Sequence, residues 1–298
     1  MTSANLIATN PLSEVAVTRC KDGKLSEAKD SVAEEVPIAM IYNGISHAVM
    51  LATPQDLEDF ALGFSLSEGI LQSKSELYDV EIVAQNNGIE LKMEVASEAF
   101  AKLKDRRRNL TGRTGCGLCG AESLQDALRL DSVDARAVKK YGLQASINAP
   151  YGASPQKTIQ ASSIQAAFHA MQIQQILQQA TGATHACAWV NTVVSAELDA
   201  SGEVQVVRED VGRHNAMDKL IGALAKNPPK DDGFVLTSSR ASVEMVQKVA
   251  LAGYDVLAAI SAPTGLAIRV AQQFGVTLVG FLRDNQFVIY ANPQRIQP

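Results

Sequence analysis

From Pro37 onward, apolar residues gather into short runs separated by strong turn signals. Pro37-Ile38-Ala39-Met40-Ile41-Tyr42 predicts a strand, Asn43-Gly44 a tight turn, and Ile45 to Leu51 a returning strand. Thr53-Pro54 predicts a helix start, with Thr as cap and Pro in the first turn; the helix then runs through Phe60-Ala61-Leu62-Gly63-Phe64 to about Gly69. Val80 to Ala84 and Ile89 to Val95 predict a second hairpin around Asn86-Asn87-Gly88. Glu122 to Leu130 carries a further helical pattern. Before this region, residues 1–35 mix Ser, Lys, Asp and Glu with little periodicity, and are expected to form a mostly flexible tail.

The period changes after Ser162. Ile164 to Ala180 predicts one long amphipathic helix ending at Thr181-Gly182, and Ala186 to Leu198 an apolar, β-branched strand. Asp199-Ala200-Ser201-Gly202 then turns the chain into Val204 to Val207. Strands at Phe234 to Leu236, Val256 to Ile260 and Val276 to Phe281 alternate with helices at Ala241 to Ala252 and Leu266 to Phe274. Such alternation predicts a partly parallel sheet covered by helices. The expected organisation is therefore the tail, a small α+β domain over 36–135, and a larger α/β domain over 136–298.

The chain has 298 residues, 46% hydrophobic and 20% charged, enough to bury a sizeable core without disulfide staples. A net charge of −5 argues against general nucleic-acid binding. The apolar stretch from Val249 to Ala271 is broken by Asp255, Ser261, Pro263 and Arg269, so no membrane span is expected. With four cysteines and no signal-peptide pattern, a cytoplasmic location is expected, where a close thiol pair reads as catalytic or metal-binding.

That pair is Cys116-Gly117-Leu118-Cys119, flanked by Gly115 and Gly120 and preceded by Arg106, Arg107 and Arg108. Cationic neighbours favour the thiolate, which is the reactive form. Zinc would need about four ligands, and there is neither a second C-x-x-C nor a nearby His. Glycines around and between the sulfurs suit a mobile carrying loop better than a rigid redox turn. Cys20 and Cys187 read as passive. So do His47, His169 and His185.

In a parallel sheet, ligands bind beyond the carboxyl ends of the strands. Four polar clusters follow the predicted strands: Arg208 to Asn215, Thr237 to Arg240, Ser261 to Gly265, and Phe281 to Gln286. Their arginines and helix starts suit phosphate, and carboxylates such as Asp210 and Asp284 suit a guanine edge or ribose hydroxyls. Taken singly, Ser239 and Thr264 read more readily as helix caps than as ligand groups, and Arg213-His214 reads also as a surface turn.

Several of these motifs together resemble the formate dehydrogenase accessory sulfurtransferases, the FdhD family. The resemblance rests on Asn43-Gly44, Ala61-Leu62-Gly63-Phe64 with Glu68-Gly69, and the Cys116 to Gly120 loop. It rests further on Glu209 to Ala216 with Asp218-Lys219, Ser239-Arg240 with Ser242 and Glu244, Ala262-Pro263-Thr264, and Phe281 with Arg283 and Ile289-Tyr290. It implies a larger domain like that of cytidine deaminases, a mixed sheet with helices on both faces. It also implies a persulfide on Cys116, with Cys119 as its partner, and passage of sulfur from a cysteine desulfurase to the cofactor of formate dehydrogenase. That cofactor, the molybdenum bis(molybdopterin guanine dinucleotide), is cargo, and GDP would mimic part of it. The implied binding stretch is Phe281, Leu282, Arg283, Asp284, Asn285 and Gln286, joined by Arg240, Thr264, Asp210, Arg213 and His214. No resident metal is expected, and a homodimer is. The chain has Ser239 and Ala183 where the family often has glycine. It also lacks the zinc signature of deaminases, so deamination is not expected. Two other functions use the same residues: a dithiol–disulfide oxidoreductase, and a cofactor chaperone that carries no sulfur.

Overall fold

A computed structural model of the chain describes residues 9–108, 158–193 and 201–298. The cysteine pair, the predicted helix at Glu122 to Leu130 and the turn at Asp199-Ala200 lie outside the described residues.

The first sheet has four strands in the order β4-β3-β6-β5: β3 is Val36–Tyr42, β4 Ile45–Ala52, β5 Leu77–Gln85 and β6 Gly88–Val95. Both predicted hairpins are present, and β3 and β6 pair in parallel at the centre. Asn43 and Gly44 both take positive φ (44° and 80°), as a two-residue hairpin turn requires. The Asn43 side chain also accepts from the Val95 amide at 2.8 Å and donates to its carbonyl at 3.1 Å, pinning this turn to the end of β6. Ile38, Met40, Leu91 and Met93 are buried in the same core cluster as Phe60 and Phe64 of helix α1 (Leu57–Ser67). Full burial of such a side chain contributes about 1.5–3 kcal/mol. Helix α2 (Ser97–Arg108) follows β6 and ends at the three arginines.

The second sheet has six strands in the order β13-β12-β11-β10-β8-β9. They are β8 (His185–Val193), β9 (Ser201–Asp210), β10 (Gly233–Thr237), β11 (Val256–Ala259), β12 (Thr277–Arg283) and β13 (Gln286–Ala291); the short β7 (Ile159–Gln160) pairs in parallel with β14 (Ile296–Gln297) as a separate ribbon. Strands β10, β11 and β12 are mutually parallel, whereas β8, β9 and β13 pair antiparallel with their neighbours. Helix α3 (Ala161–Gln174) covers one face, burying Ile164, Ala167 and Met171 with Ala188, Phe234 and Leu236. Helices α5 (Arg213–Lys226), α6 (Val243–Leu251) and α7 (Gly265–Gln273) cover the other.

The two sheets share one core through the crossing of α1 and α5. Glycines make that crossing possible. A Cβ on Gly63 would lie 1.7 Å from the Asp218 carbonyl oxygen, and one on Gly222 would lie 1.9 Å from that of Asp59. The helices meet backbone to backbone.

Three expectations need correction. The helix after Thr53 starts at Leu57, because the Thr53 hydroxyl accepts from the Val211 amide instead of capping. The single helix expected over Ile164 to Ala180 is two. α3 ends at Gln174, and α4 (Ile176–Thr181) has its own start, where the Glu209 carboxylate accepts from the amides of Leu177 and Gln178 at 2.9 Å each. The expected loose tail is paired over much of its length: β1 (Leu12–Lys21) and β2 (Lys24–Ala33) form an antiparallel hairpin turning at Asp22-Gly23. Most of its side chains are exposed, so burial imposes no readable alternation there.

Candidate functional site

Strand direction decides what meets at the rim of the second sheet. β9 is antiparallel to β8, which is antiparallel to β10, so β9 runs with β10, β11 and β12. The carboxyl ends of all four therefore share one edge, and His185 at the start of β8 joins them opposite Asp210. The four polar clusters singled out in the sequence lie along this edge.

At the end of β9, the acidic residues form the frame of the rim. Asp210 and Lys219 make an ion pair of 2.7 Å with both side chains at 0% exposure. Asp210 also accepts from the Thr53 amide (3.0 Å), the Gly212 amide (2.7 Å) and the Asn215 side chain (3.0 Å). Lys219 donates to the Thr53 carbonyl at 2.9 Å, and Asn215 to that of Leu51 at 2.8 Å. The β4–α1 connection of the first sheet is thereby bound to the β9–α5 connection of the second. Asp210, expected to touch a ligand, is instead saturated by internal partners. A second buried network lies further along: Lys248 donates to both oxygens of Asp218 (2.7 and 3.0 Å), to Ser67 (2.9 Å) and to Glu68 (3.1 Å). Burial holds the Asp218 carboxyl above its usual range despite that lysine.

His214 and Arg213 stand half-buried at the rim instead. His214 Nε2 lies 3.2 Å from Glu244, whose carboxylate also accepts from the Ser242 hydroxyl at 2.8 Å. The His214 contact leads in holding the Glu244 pKa down to about 2. Arg213 has a buried Nε with no hydrogen-bond partner among the described residues. Beside them, His185 lines an open cleft of about 550 Å³ between α3–α4 and the rim, with Gln172, Gln175, Gln178, Gln179 and Ser238. Sequence reasoning passed over His185 and the glutamines. Only the pairing of His185 with Asp210 in adjacent strands reveals that histidine at the rim.

At the end of β10, Ser238 accepts from the Ala186 amide at 2.8 Å, and Arg240 is exposed. Thr264 accepts from the Ala267 amide at 3.3 Å, which makes it the cap of α7. The loops after β10 and β11 run side by side, with Thr264 N–H donating to the Ala241 carbonyl at 3.0 Å. Phe281 is the most unusual residue of the edge. It has φ +52°, lies at an irregularity of β12, and is 44% exposed. Arg283 turns back to the carbonyls of Ile260 and Leu282 at 2.7 Å each, and Asp284 pairs with His169 at 3.2 Å. Leu282 is buried, whereas Asn285 and Gln286 are exposed.

Cys187 is buried in β8, where loss of solvent pushes its thiol up to about 12, and Cys20 is exposed on β1. Burial of Cys187 disfavours a reactive thiolate there. Among the described residues, no three His, Cys, Asp or Glu side chains group as metal ligands, and no helix is long and apolar enough to cross a membrane.

These features define an α/β protein with helices on both faces of its larger sheet and a polar cleft at the strand ends. The model of the FdhD/NarQ family matches residues 33–297, and the chain belongs to that family. It is 54% identical over 286 residues to the sulfur carrier protein FdhD of Cupriavidus necator, covering 96% of this chain and 90% of that one. It is 49% identical over 288 residues to the protein of the same name from Bordetella petrii, covering 95% and 94%. A crystal structure from Desulfotalea psychrophila, of a protein proposed to be a formate dehydrogenase accessory protein, superposes with a TM-score of 0.69 at 22% identity. It covers 96% of this chain and 99% of that one, and supports the fold.

Proposed function

We propose that this chain is a sulfur carrier that serves formate dehydrogenase, taking a sulfane sulfur onto Cys116 from a cysteine desulfurase. One observation carries the reading: Cys116-Gly117-Leu118-Cys119 sits in a chain that is 54% identical, over nearly its whole length, to a sulfur carrier. In the loading step, the Cys116 thiolate attacks the terminal sulfur of the donor persulfide. The donor S–S bond breaks, its cysteine leaves as thiolate, and Cys116 retains the sulfur as a new persulfide. Arg106 to Arg108, or Arg113, stabilise the attacking thiolate.

The acceptor is the molybdenum bis(molybdopterin guanine dinucleotide) cofactor, which is substrate here. Arg240, Thr264, Arg213, His214 and the stretch Phe281 to Gln286 receive it at the strand-end rim, with Asp210 as the buried frame beneath. The helix starts and guanidiniums of that edge suit its phosphates. The domain division at about residue 135, a deaminase-like larger domain, a homodimer and a cytoplasmic location belong to the same proposal. The six-stranded mixed sheet, with helices on both faces, supports the second of these.

Incubation with a cysteine desulfurase and cysteine, followed by mass spectrometry, tests the reading. Transfer adds one sulfur to the Cys116 peptide, and Cys116→Ala abolishes sulfuration of formate dehydrogenase. A dithiol oxidoreductase would instead lose turnover equally with Cys119→Ala. A chaperone would gain no sulfur at all.

A further inference from the structure

The glutamine-lined cleft has one titratable group on its wall, His185, which stands opposite Asp210 in the adjacent strand, three residues before Arg213 at the start of α5. Arg213 and His214, at the start of α5, both act on His185 electrostatically. Three groups able to carry positive charge thus stand together. The carboxylates nearest them are already engaged: Asp210 with Lys219, Glu209 with the α4 amides, and Glu244 with His214 and Ser242. The buried Arg213 Nε has no acceptor among the described residues. From α3 and α4 the cleft wall is made of neutral glutamine amides, and from the end of β10 of the Ser238 hydroxyl. His214 has the Glu244 carboxylate and burial disfavours charge on His185, so the Arg213 guanidinium is the cation here that an anion would complete.

We propose that His185, on the wall of this cleft, and Arg213, at the adjoining start of α5, form a phosphate subsite, and that His185 takes up a proton when a phosphate-bearing ligand binds. The assignment rests on the reading that the rim receives a guanine dinucleotide, and it adds His185 and the glutamine cleft to that site. A volume of about 550 Å³ is large enough for a nucleotide. In the ligand-free chain, burial and then the Arg213 charge hold His185 below its ordinary range, so it is neutral near pH 7; Asp210 opposes them and His214 reinforces them. A bound phosphate favours the imidazolium and raises the pKa again. Affinity is therefore highest below the pKa of the free chain, falls as pH rises towards the pKa of the complex, and is level above it.

The test is calorimetric titration of the full chain with GDP from pH 5 to 8, in buffers of different ionisation heat. The terminal phosphate of GDP titrates in the same range, so the diagnostic quantity is the difference between the chain and His185→Gln. The chain takes up a proton that the variant does not, and its affinity falls by at most about tenfold per pH unit across the window, the limit for one proton. The variant keeps its melting temperature and loses that fall. Equal proton uptake by chain and variant, or no binding of GDP, would overturn the subsite. Persulfide loading of Cys116, read separately by mass spectrometry, reports on the sulfur-carrier reading alone. Proton-coupled binding that depends on His185, in a chain never loaded with sulfur, supports the subsite and counts only against the carrier.

Discussion

Asp210 at the end of β9 and Lys219 within α5, nine residues on, form a wholly buried ion pair that also grips both the amide and the carbonyl of Thr53. This contact ties the edge that carries Arg213 and His214 to the first sheet. Removing one partner leaves a buried charge without compensation, a cost of about 3–5 kcal/mol. Lys219→Met should therefore lower stability in urea unfolding by that order, and adding Asp210→Leu should recover part of the loss. A single variant as mild as a surface charge deletion would contradict this role.

The close crossing of α1 and α5 makes a second prediction. Gly63→Ala puts a methyl group into the Asp218 carbonyl, and only separation of the two helices relieves it. Overpacking of this kind costs about 1–3 kcal/mol, and backbone on the receiving side places it at the upper end. A thermal melt should shift down by several degrees, whereas alanine at the exposed Gly265, the first residue of α7, should change little.

Much of this was legible in the chain. Asn43-Gly44 marks a hairpin because both residues take positive φ, which few residues accept, and Asn86-Asn87-Gly88 because Asn and Gly favour turns; the alternation around Phe234, Val256 and Val276 follows from burial on both faces of a parallel sheet. What escaped is long-range or solvent-exposed. The β1–β2 hairpin has little burial to write a period into it. The break at Gln175 depends on Glu209, more than thirty residues away in sequence. Asp210 reads as a ligand group until its four internal partners are visible, and His185 reads as a passive strand residue until β8 and β9 are paired.

Phe281 separates strain from binding. A non-glycine residue at φ +52° costs about 1–2 kcal/mol, and glycine there costs less. Phe281→Gly should therefore leave the protein as stable as before, or more stable by roughly 1 kcal/mol, while the loss of the exposed ring weakens GDP binding. A variant both less stable and unchanged in binding would show the ring to be packing only.

The Glu244–His214 contact predicts a dependence on acid. The folded-state pKa of Glu244 lies near 2, below its ordinary 4.5, so its contribution is complete above about 4.5 and disappears as pH falls towards 2. Both groups are partly solvated, which limits the gain to ~1 kcal/mol. Denaturant melts of Glu244→Gln and the parent chain should differ at pH 6 and converge near pH 2. A gap that persists unchanged at pH 2 would contradict it.

The central claim is that sulfur rides on Cys116. The most direct measurement is mass spectrometry of the Cys116 peptide after the chain is incubated with a cysteine desulfurase and cysteine. The account predicts one added sulfur on that peptide in the parent chain and in Cys119→Ala, and none on Cys20 or Cys187. An unmodified Cys116 under conditions where the desulfurase turns over would contradict it.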